Sequence, residues 1–242
     1  MIWPHLKRSL TQLFYPAQCL HCQDFIEPGE TVFCSACMSL LELIDPEERC
    51  QTCFEILPTN SSHACAYCKK HPSLFYRCGA AFDYIGPAAS LVKRLKYGNQ
   101  PHLAKGIAAY LVMQFIQLDW PFPDALIPVP ISFTHWLDRG YNQSALIAEE
   151  MAHLLKVPIL NVLKRKSGDF SQASLTVDQR YALKNQTFKL KKRHCIKDQT
   201  LLLIDDVVTS GTTLNKCAES LMAGHPATLY ALSFCKTSLK HF

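Results

Sequence analysis

Thr200-Leu201-Leu202-Leu203-Ile204-Asp205-Asp206-Val207-Val208-Thr209-Ser210-Gly211-Thr212-Thr213 is the stretch that decides the fold. It opens on an unbroken apolar run, Leu201 to Ile204. A strand apolar at successive positions is buried on both faces, as in a parallel sheet covered by helices. The run ends on two adjacent carboxylates, Asp205 and Asp206, which diverge because successive strand side chains point to opposite faces. A turn of small residues follows. Beyond it, Leu214, Cys217, Ala218, Leu221 and Met222 recur at helical spacing. The order is strand, acidic pair, hydroxyl-and-glycine loop, helix.

That order has a chemical reading. Backbone N–H groups at a helix N-terminus are unpaired and favour an anion. Gly211 is expected to let the backbone approach a ligand closely, while Thr209, Ser210, Thr212 and Thr213 add hydroxyl donors. The loop lacks the lysine of the nucleotide-triphosphate motif G-x-x-x-x-G-K-[ST]. The acidic pair stands where it would meet the vicinal hydroxyls of a sugar, since ligands bind at the carboxyl ends of strands in open parallel sheets. A phosphate beside a diol describes a ribose 5-phosphate.

Residues 201–213 resemble the signature of type I phosphoribosyltransferases. The resemblance implies a parallel sheet flanked by helices. It implies that Asp205 and Asp206 hold the ribose hydroxyls of phosphoribosyl pyrophosphate (PRPP), and that Thr209, Ser210, Gly211, Thr212 and Thr213 hold its 5-phosphate.

The N-terminal third has a different character. Twelve cysteines occur in the 242 residues, and eight form four C-x-x-C pairs: Cys19/Cys22, Cys34/Cys37, Cys50/Cys53 and Cys65/Cys68. Shifting the first four cysteines by 31 positions gives the second four. Two such pairs close a tetrahedral Cys₄ zinc shell, and a closed shell is structural. The block resembles a double zinc ribbon with one or two Zn²⁺. Sequential ligation and a crossed pairing of the first knuckle with the third both fit the spacing. Cys78, Cys195, Cys217 and Cys235 lack partners at ligand spacing and are read as small buried residues.

The composition sets further bounds. Hydrophobic residues make up 48% of the chain and charged residues 19%, as in a globular protein. No apolar run approaches the ~20 residues of a membrane span, so no membrane insertion is expected. The N-terminus reads as a short amphipathic helix carrying Leu6, Leu10, Leu13 and Phe14, not as a signal peptide. These features and the reduced thiols point to the cytoplasm. Residues 1–71 carry 5 Lys/Arg against 8 Asp/Glu, and residues 72–242 carry 20 against 12. The division expected is an N-terminal helix and ribbon over 1–71 and a catalytic-type domain over 72–242.

Along the second part, the pattern predicts a strand over 75–84, then a helix over 88–97 with Leu91, Val92 and Leu95 inward and Lys93, Arg94 and Lys96 outward. A second helix follows over 102–118, then a strand over 124–130, a helix over 146–155 and a strand over 159–164. Residues 165–173 read as a loop, Thr176 to Gln179 as a capping box, and 227–236 as a last strand. Lys189, Lys191, Lys192, Arg193, His194 and Lys197 form the densest basic run. It is read equally as a solvated edge hairpin and as a nucleic-acid contact.

The stretch Arg139-Gly140-Tyr141-Asn142-Gln143 resembles the Arg-Gly-Phe-Asn-Gln box of the ComF competence family, with Tyr141 in place of Phe. Tyr84 to Pro87, Leu95-Lys96-Tyr97, and Gln172 to Thr176 followed by Arg180 and Asn185 are similar to further segments of that family. Its members join a zinc ribbon to a phosphoribosyltransferase domain and act on incoming single-stranded DNA in natural transformation. The resemblance implies that Val129, Pro130 and Ile131 begin a pyrophosphate-binding loop running to Phe133, with Arg139 or Arg165 and Mg²⁺ assisting and 165–173 as a lid. The reaction implied is displacement of pyrophosphate from C1 of the sugar by an unknown acceptor amine. The partners implied are PRPP and either single-stranded DNA or other competence proteins. The alternative is a PRPP sensor without turnover, or a zinc protein that binds single-stranded DNA.

Overall fold

The computed structural model describes residues 17–26, 32–57, 63–165, 187–191 and 195–237. The expected N-terminal helix, the capping box at Thr176, the 165–173 loop after Arg165 and Lys192 to His194 of the basic run lie outside these residues.

The deciding stretch forms β5, Thr200–Val208, in a four-stranded parallel sheet. Its neighbours are β6, Thr228–Lys236, on one side and β2, Ala125–Pro128, on the other, while β1, Arg77–Asp83, lies beyond β6. The order is β1-β6-β5-β2, with Ile204 beside Leu232 on β6 and beside Pro128 on β2. The prolines of 124–130 sit at the end of β2, where a missing N–H costs least.

Both faces of β5 are buried, and the two-residue period sorts its side chains. Leu202 and Ile204 join a core with Leu126, Leu232 and Phe234. Leu201 and Leu203 join the opposite core with Ala125, Ile127 and Ala231. The first core is roofed by α3, Gly86–Tyr97, α4, Leu103–Gln117, and α6, Gln143–Leu155. The second is roofed by α7, Thr212–Met222, through Leu214, Cys217, Ala218 and Leu221. Met222, expected on that face, is instead 41% exposed.

The strand expected over 159–164 behaves differently. Ile159 makes a single parallel bridge to Leu126, after which the chain leaves the sheet. It then forms β3, Leu163–Arg165, paired antiparallel with β4, Phe188–Leu190. This hairpin rests on α7, whose Ser220 hydroxyl donates to the Phe188 carbonyl at 3.1 Å. Of the basic run, Lys189 stands in register opposite Lys164, and Lys191 Nζ donates to the Asn161 carbonyl at 2.7 Å.

A helix with no forecast, α5, Phe133–Arg139, is capped by Ser132, whose hydroxyl accepts from the His135 N–H at 3.2 Å. It ends at Gly140 with φ +79°, a left-handed C-cap that glycine tolerates without steric cost. Phe133, Trp136 and Leu137 are all exposed, so the helix buries no face.

The cysteine repeat is a repeat in three dimensions. Cys34 and Cys65 cap matching one-turn helices, α1, Ser35–Met38, and α2, Ala66–Lys70. Gln23 and Phe54, 31 positions apart, both take positive φ, at 69° and 60°. Cys19 N–H donates to Asp24 O at 2.7 Å, and Cys50 N–H to Glu55 O at 2.8 Å. Phe33, Ile44 and Phe54 pack into the same core as Phe82 and Phe234. Polar ties reinforce the seam: Arg49 donates twice to Asp83, at 3.2 and 2.8 Å, and Gln114 Nε2 donates to the Ile44 carbonyl at 3.0 Å. Among the described residues, no helix is long and apolar enough to cross a membrane.

Candidate functional site

The two carboxylates lie within β5, which runs two residues further to Val208 than the apolar run suggests, and both are below the surface, Asp205 at 8% exposure and Asp206 at 2%. They diverge, as alternation requires. Asp205 Oδ1 accepts from the Ser144 hydroxyl at 2.9 Å and from the Asp206 N–H at 2.9 Å. Asp206 Oδ2 is 2.9 Å from Lys96 Nζ, and its Oδ1 accepts from the Val207 N–H at 2.8 Å. Lys96 is thus turned inward, against the expectation that it faces solvent. An acid buried this deeply would be an uncompensated charge without it. Among the described residues, no cation is in direct contact with Asp205. Burial, and then repulsion from Asp206, pushes its carboxyl up to about 7, although the bonds from Ser144 and the Asp206 N–H pull the other way. Its Oδ2 takes no hydrogen bond among the described residues.

The loop that follows is open to solvent. Thr209, Ser210, Thr212 and Thr213 are exposed and Gly211 is half-buried. Ser210 and Thr212 share a hydroxyl–hydroxyl bond of 2.8 Å. Gly211, at φ +72°, is the N-cap of α7. A Cβ placed on it would meet nothing within 4 Å. Its glycine therefore serves the left-handed turn rather than a close approach within the protein. Loop N–H groups and hydroxyls at a helix start, beside Asp205, make a surface on which an oxyanion and a donor-bearing diol fit side by side.

The residues assigned to pyrophosphate binding are dispersed. The Val129 N–H is already spent on the Ile204 carbonyl at 3.0 Å, and Pro130 has none to offer. Of 129–133, the amides of Ile131, Ser132 and Phe133 remain. Arg139 lies at the end of α5 with its guanidinium 5.0 Å from the Tyr97 ring centre. Arg165 ends β3, its guanidinium 5.6 Å from the Phe188 ring centre.

The box 139–143 acts as a clasp. Asn142 caps α6 by accepting from the Ser144 N–H at 3.1 Å, and its Nδ2 donates to the Val129 carbonyl at 3.0 Å. Tyr141 O–H donates to the Leu95 carbonyl at 2.6 Å, one residue from Lys96. The box therefore holds both acids: Asp205 through Ser144, and Asp206 through the backbone that carries Lys96. Ser144 and Lys96 were absent from the forecast site. Nothing in sequence marks a pairing between positions 96 and 206, although the adjoining Leu95-Lys96-Tyr97 and Gln143 motifs stood beside them.

The cysteines assemble sequentially. Cys19, Cys22, Cys34 and Cys37 form one group and Cys50, Cys53, Cys65 and Cys68 another, with sulfurs in each all within 4.8 Å of one another. Cys22 and Cys34 Sγ are 3.7 Å apart, as are Cys53 and Cys65 Sγ. Tetrahedral zinc with bonds of about 2.3 Å requires sulfurs about 3.8 Å apart, so both groups fit Zn²⁺. The Cys50 thiol is pulled down to about 4, first by the bond from the Cys53 thiol, against burial, and then by N–H groups of the knuckles. The remaining cysteines divide: Cys217 and Cys235 are buried, Cys78 is half-buried, and Cys195 is exposed, contrary to its reading as a buried residue.

Residues 142–235 match the phosphoribosyl transferase domain family. Competence protein F of Haemophilus influenzae is 28% identical over 215 residues, covering 86% of this chain and 92% of that protein. DNA utilization protein YhgH of Escherichia coli K12 is 25% identical over 232 residues, covering 93% and 99%. Competence protein ComFC of Streptococcus pneumoniae is 25% identical over 194 residues, covering 79% and 82%. Among solved structures, glutamine PRPP amidotransferase from B. subtilis aligns with a TM-score of 0.38 at 14% identity, over 56% of this chain and 26% of that one. The chain is a homologue of the competence protein F, ComFC and YhgH proteins, with a phosphoribosyl transferase domain and two N-terminal Cys₄ groups that fit a double zinc ribbon.

Proposed function

We propose that this protein binds PRPP at the end of β5 and serves DNA uptake in the cytoplasm, where its eight ribbon thiols stay reduced. The observation that carries the reading is that Asp205, whose Oδ2 takes no hydrogen bond among the described residues, stands on the strand that leads into the exposed loop 209–213 at the start of α7. The match to phosphoribosyl transferase domains and the names of the relatives support it.

Asp205 would accept from the ribose hydroxyls, and the amides and hydroxyls of Thr209 to Thr213 would hold the 5-phosphate. The amides of Ile131 to Phe133, with Arg139 or Arg165, would meet the pyrophosphate. Magnesium would travel on the pyrophosphate rather than on protein ligands, because both acids are already engaged by Ser144 and Lys96. In turnover, the lone pair of an acceptor amine forms a bond to C1, the C1–O bond breaks with its electrons leaving on pyrophosphate, and the amine proton passes to solvent. The chain's part is to hold the sugar in line for that displacement. Zinc would be held by the two cysteine groups and supplies folding free energy, not chemistry.

Calorimetric titration of Mg²⁺–PRPP into the zinc-loaded protein tests the site. Asp205→Asn, which keeps shape and the Ser144 bond, should abolish binding, and unchanged affinity would refute the assignment. The engagement of both acids by internal partners favours a second reading, a PRPP sensor without turnover. Pyrophosphate release with amine acceptors separates the two.

A further inference from the structure

The helix α4 is apolar on two sides. Its inner side, with Ile107, Leu111 and Phe115, roofs the first core. The outer side of a surface helix is ordinarily polar. Here it carries Gly106, Ala109, Met113 and Ile116, whose spacing of three and four residues aligns them in one stripe. All four are exposed, Met113 at 54% and Ile116 at 66%. Lys105 and Gln117, also exposed, stand at its two ends.

Gly106 points to what covers the stripe. Glycine inside a helix is less stable than alanine. A Cβ placed on Gly106 would meet nothing within 4 Å, so packing among the described residues does not call for glycine there. Close approach of a second backbone from outside does. The order of the stripe identifies that backbone. Gly106 and Ile116 are symmetric about position 111, and so are Ala109 and Met113. A copy of α4 laid antiparallel on the first, with the two-fold axis at the level of Leu111, sets the small residues of each helix against the large residues of the other. The same register carries Lys105 to the carbonyl end of the second copy, beside its Gln117 and exposed Asp119, where a cation is favoured. A parallel copy would instead set Ile116 against Ile116 and Lys105 against Lys105.

We propose that the outer face of α4 is an interface with a second copy of this chain, formed by two α4 helices packed antiparallel in an isologous dimer. The interface uses no residue assigned to PRPP or zinc, so it stands independently of both.

Sedimentation velocity of the zinc-loaded full chain, run from about 1 to 100 µM, tests it, since dimers in that range correspond to micromolar affinity. The chain should sediment as a dimer at the upper end. Ile116→Glu places a charge in the stripe without entering the core. It should weaken dimerisation by about tenfold or more, a change of ~1.4 kcal/mol. Gly106→Leu fills the gap for the second helix and should weaken it similarly, while melting no lower than the parent at the lowest concentration. Lys105→Glu should also weaken the dimer, and Lys105→Glu/Gln117→Lys should restore it, because only the antiparallel register brings these two positions together. A chain monomeric at every concentration would overturn the proposal and leave the face to another occupant. Dimerisation unaltered in both Ile116→Glu and Gly106→Leu would place the interface elsewhere, and a double variant as weak as Lys105→Glu would refute the antiparallel pairing.

Discussion

Asp205 makes the most exacting demand of any single residue, because its carboxyl titrates near 7 in the folded chain. The usual value is near 3.8, so the folded state binds a proton that the unfolded state has already lost between these values. The contribution is fully present below about 4 and is lost as pH rises through about 7, by up to about 4 kcal/mol. Asp205→Asn should therefore flatten the stability profile between pH 4 and 8, and it should be more stable than the parent at pH 8. A parallel profile in chemical denaturation would show that Asp205 is ionised throughout. Lys96 answers for the other acid. Lys96→Met leaves Asp206 buried without a cation and should cost about 3 kcal/mol, most of it recovered in Lys96→Met/Asp206→Leu. Additive losses in that cycle would deny the pair any coupling. The acid pair itself was legible from sequence, since two adjacent carboxylates after an apolar run leave few alternatives. Its partners were not, because residues 96 and 144 reach it only through the folding of α3 and α6 over the sheet.

Elements were legible where their period was strong. β5 and α7 fall where Leu201 to Ile204 and the Leu214/Cys217/Ala218/Leu221 spacing put them. α5 escaped because Phe133, Trp136 and Leu137 are apolar yet exposed, so hydrophobic periodicity had no buried face to report. Leu163–Arg165 was expected as a longer strand starting at Ile159, and it pairs with a segment more than twenty residues away, which propensity does not encode. The cysteine knuckles are the opposite case: the 31-residue spacing fixes capping, positive φ and hydrogen bonds at matching positions. The spacing left sequential and crossed ligation open, and the structure groups the sulfurs sequentially. Purified protein should carry two zinc ions per chain. Cys50→Ser should reduce this to one, held by Cys19, Cys22, Cys34 and Cys37. Complete loss of metal in that variant would mean that the two groups do not bind independently.

At the scale of the molecule, the ribbon is not an appendage. Phe33, Ile44 and Phe54 share the core of the sheet, and Arg49–Asp83 and Glu55–Lys236 tie the ribbon to the carboxyl ends of β1 and β6. Composition suggested a separate module, because a short cysteine-rich block has little core of its own. The block instead borrows the core of the sheet. Chelation of zinc should therefore lower the melting temperature of the whole chain in a single transition. Two transitions, with the sheet melting unchanged, would show that the ribbon folds apart from it. The same sheet delivers Asp205 and the loop 209–213 to one end, and the claim that this end holds a sugar phosphate is central. It is tested most directly by the crystal structure of the zinc-loaded protein with Mg²⁺–PRPP. The account predicts the 5-phosphate within hydrogen-bonding distance of the 209–213 amides and the ribose hydroxyls on Asp205. Electron density for PRPP anywhere else on the chain, with that loop and Asp205 untouched, would contradict it.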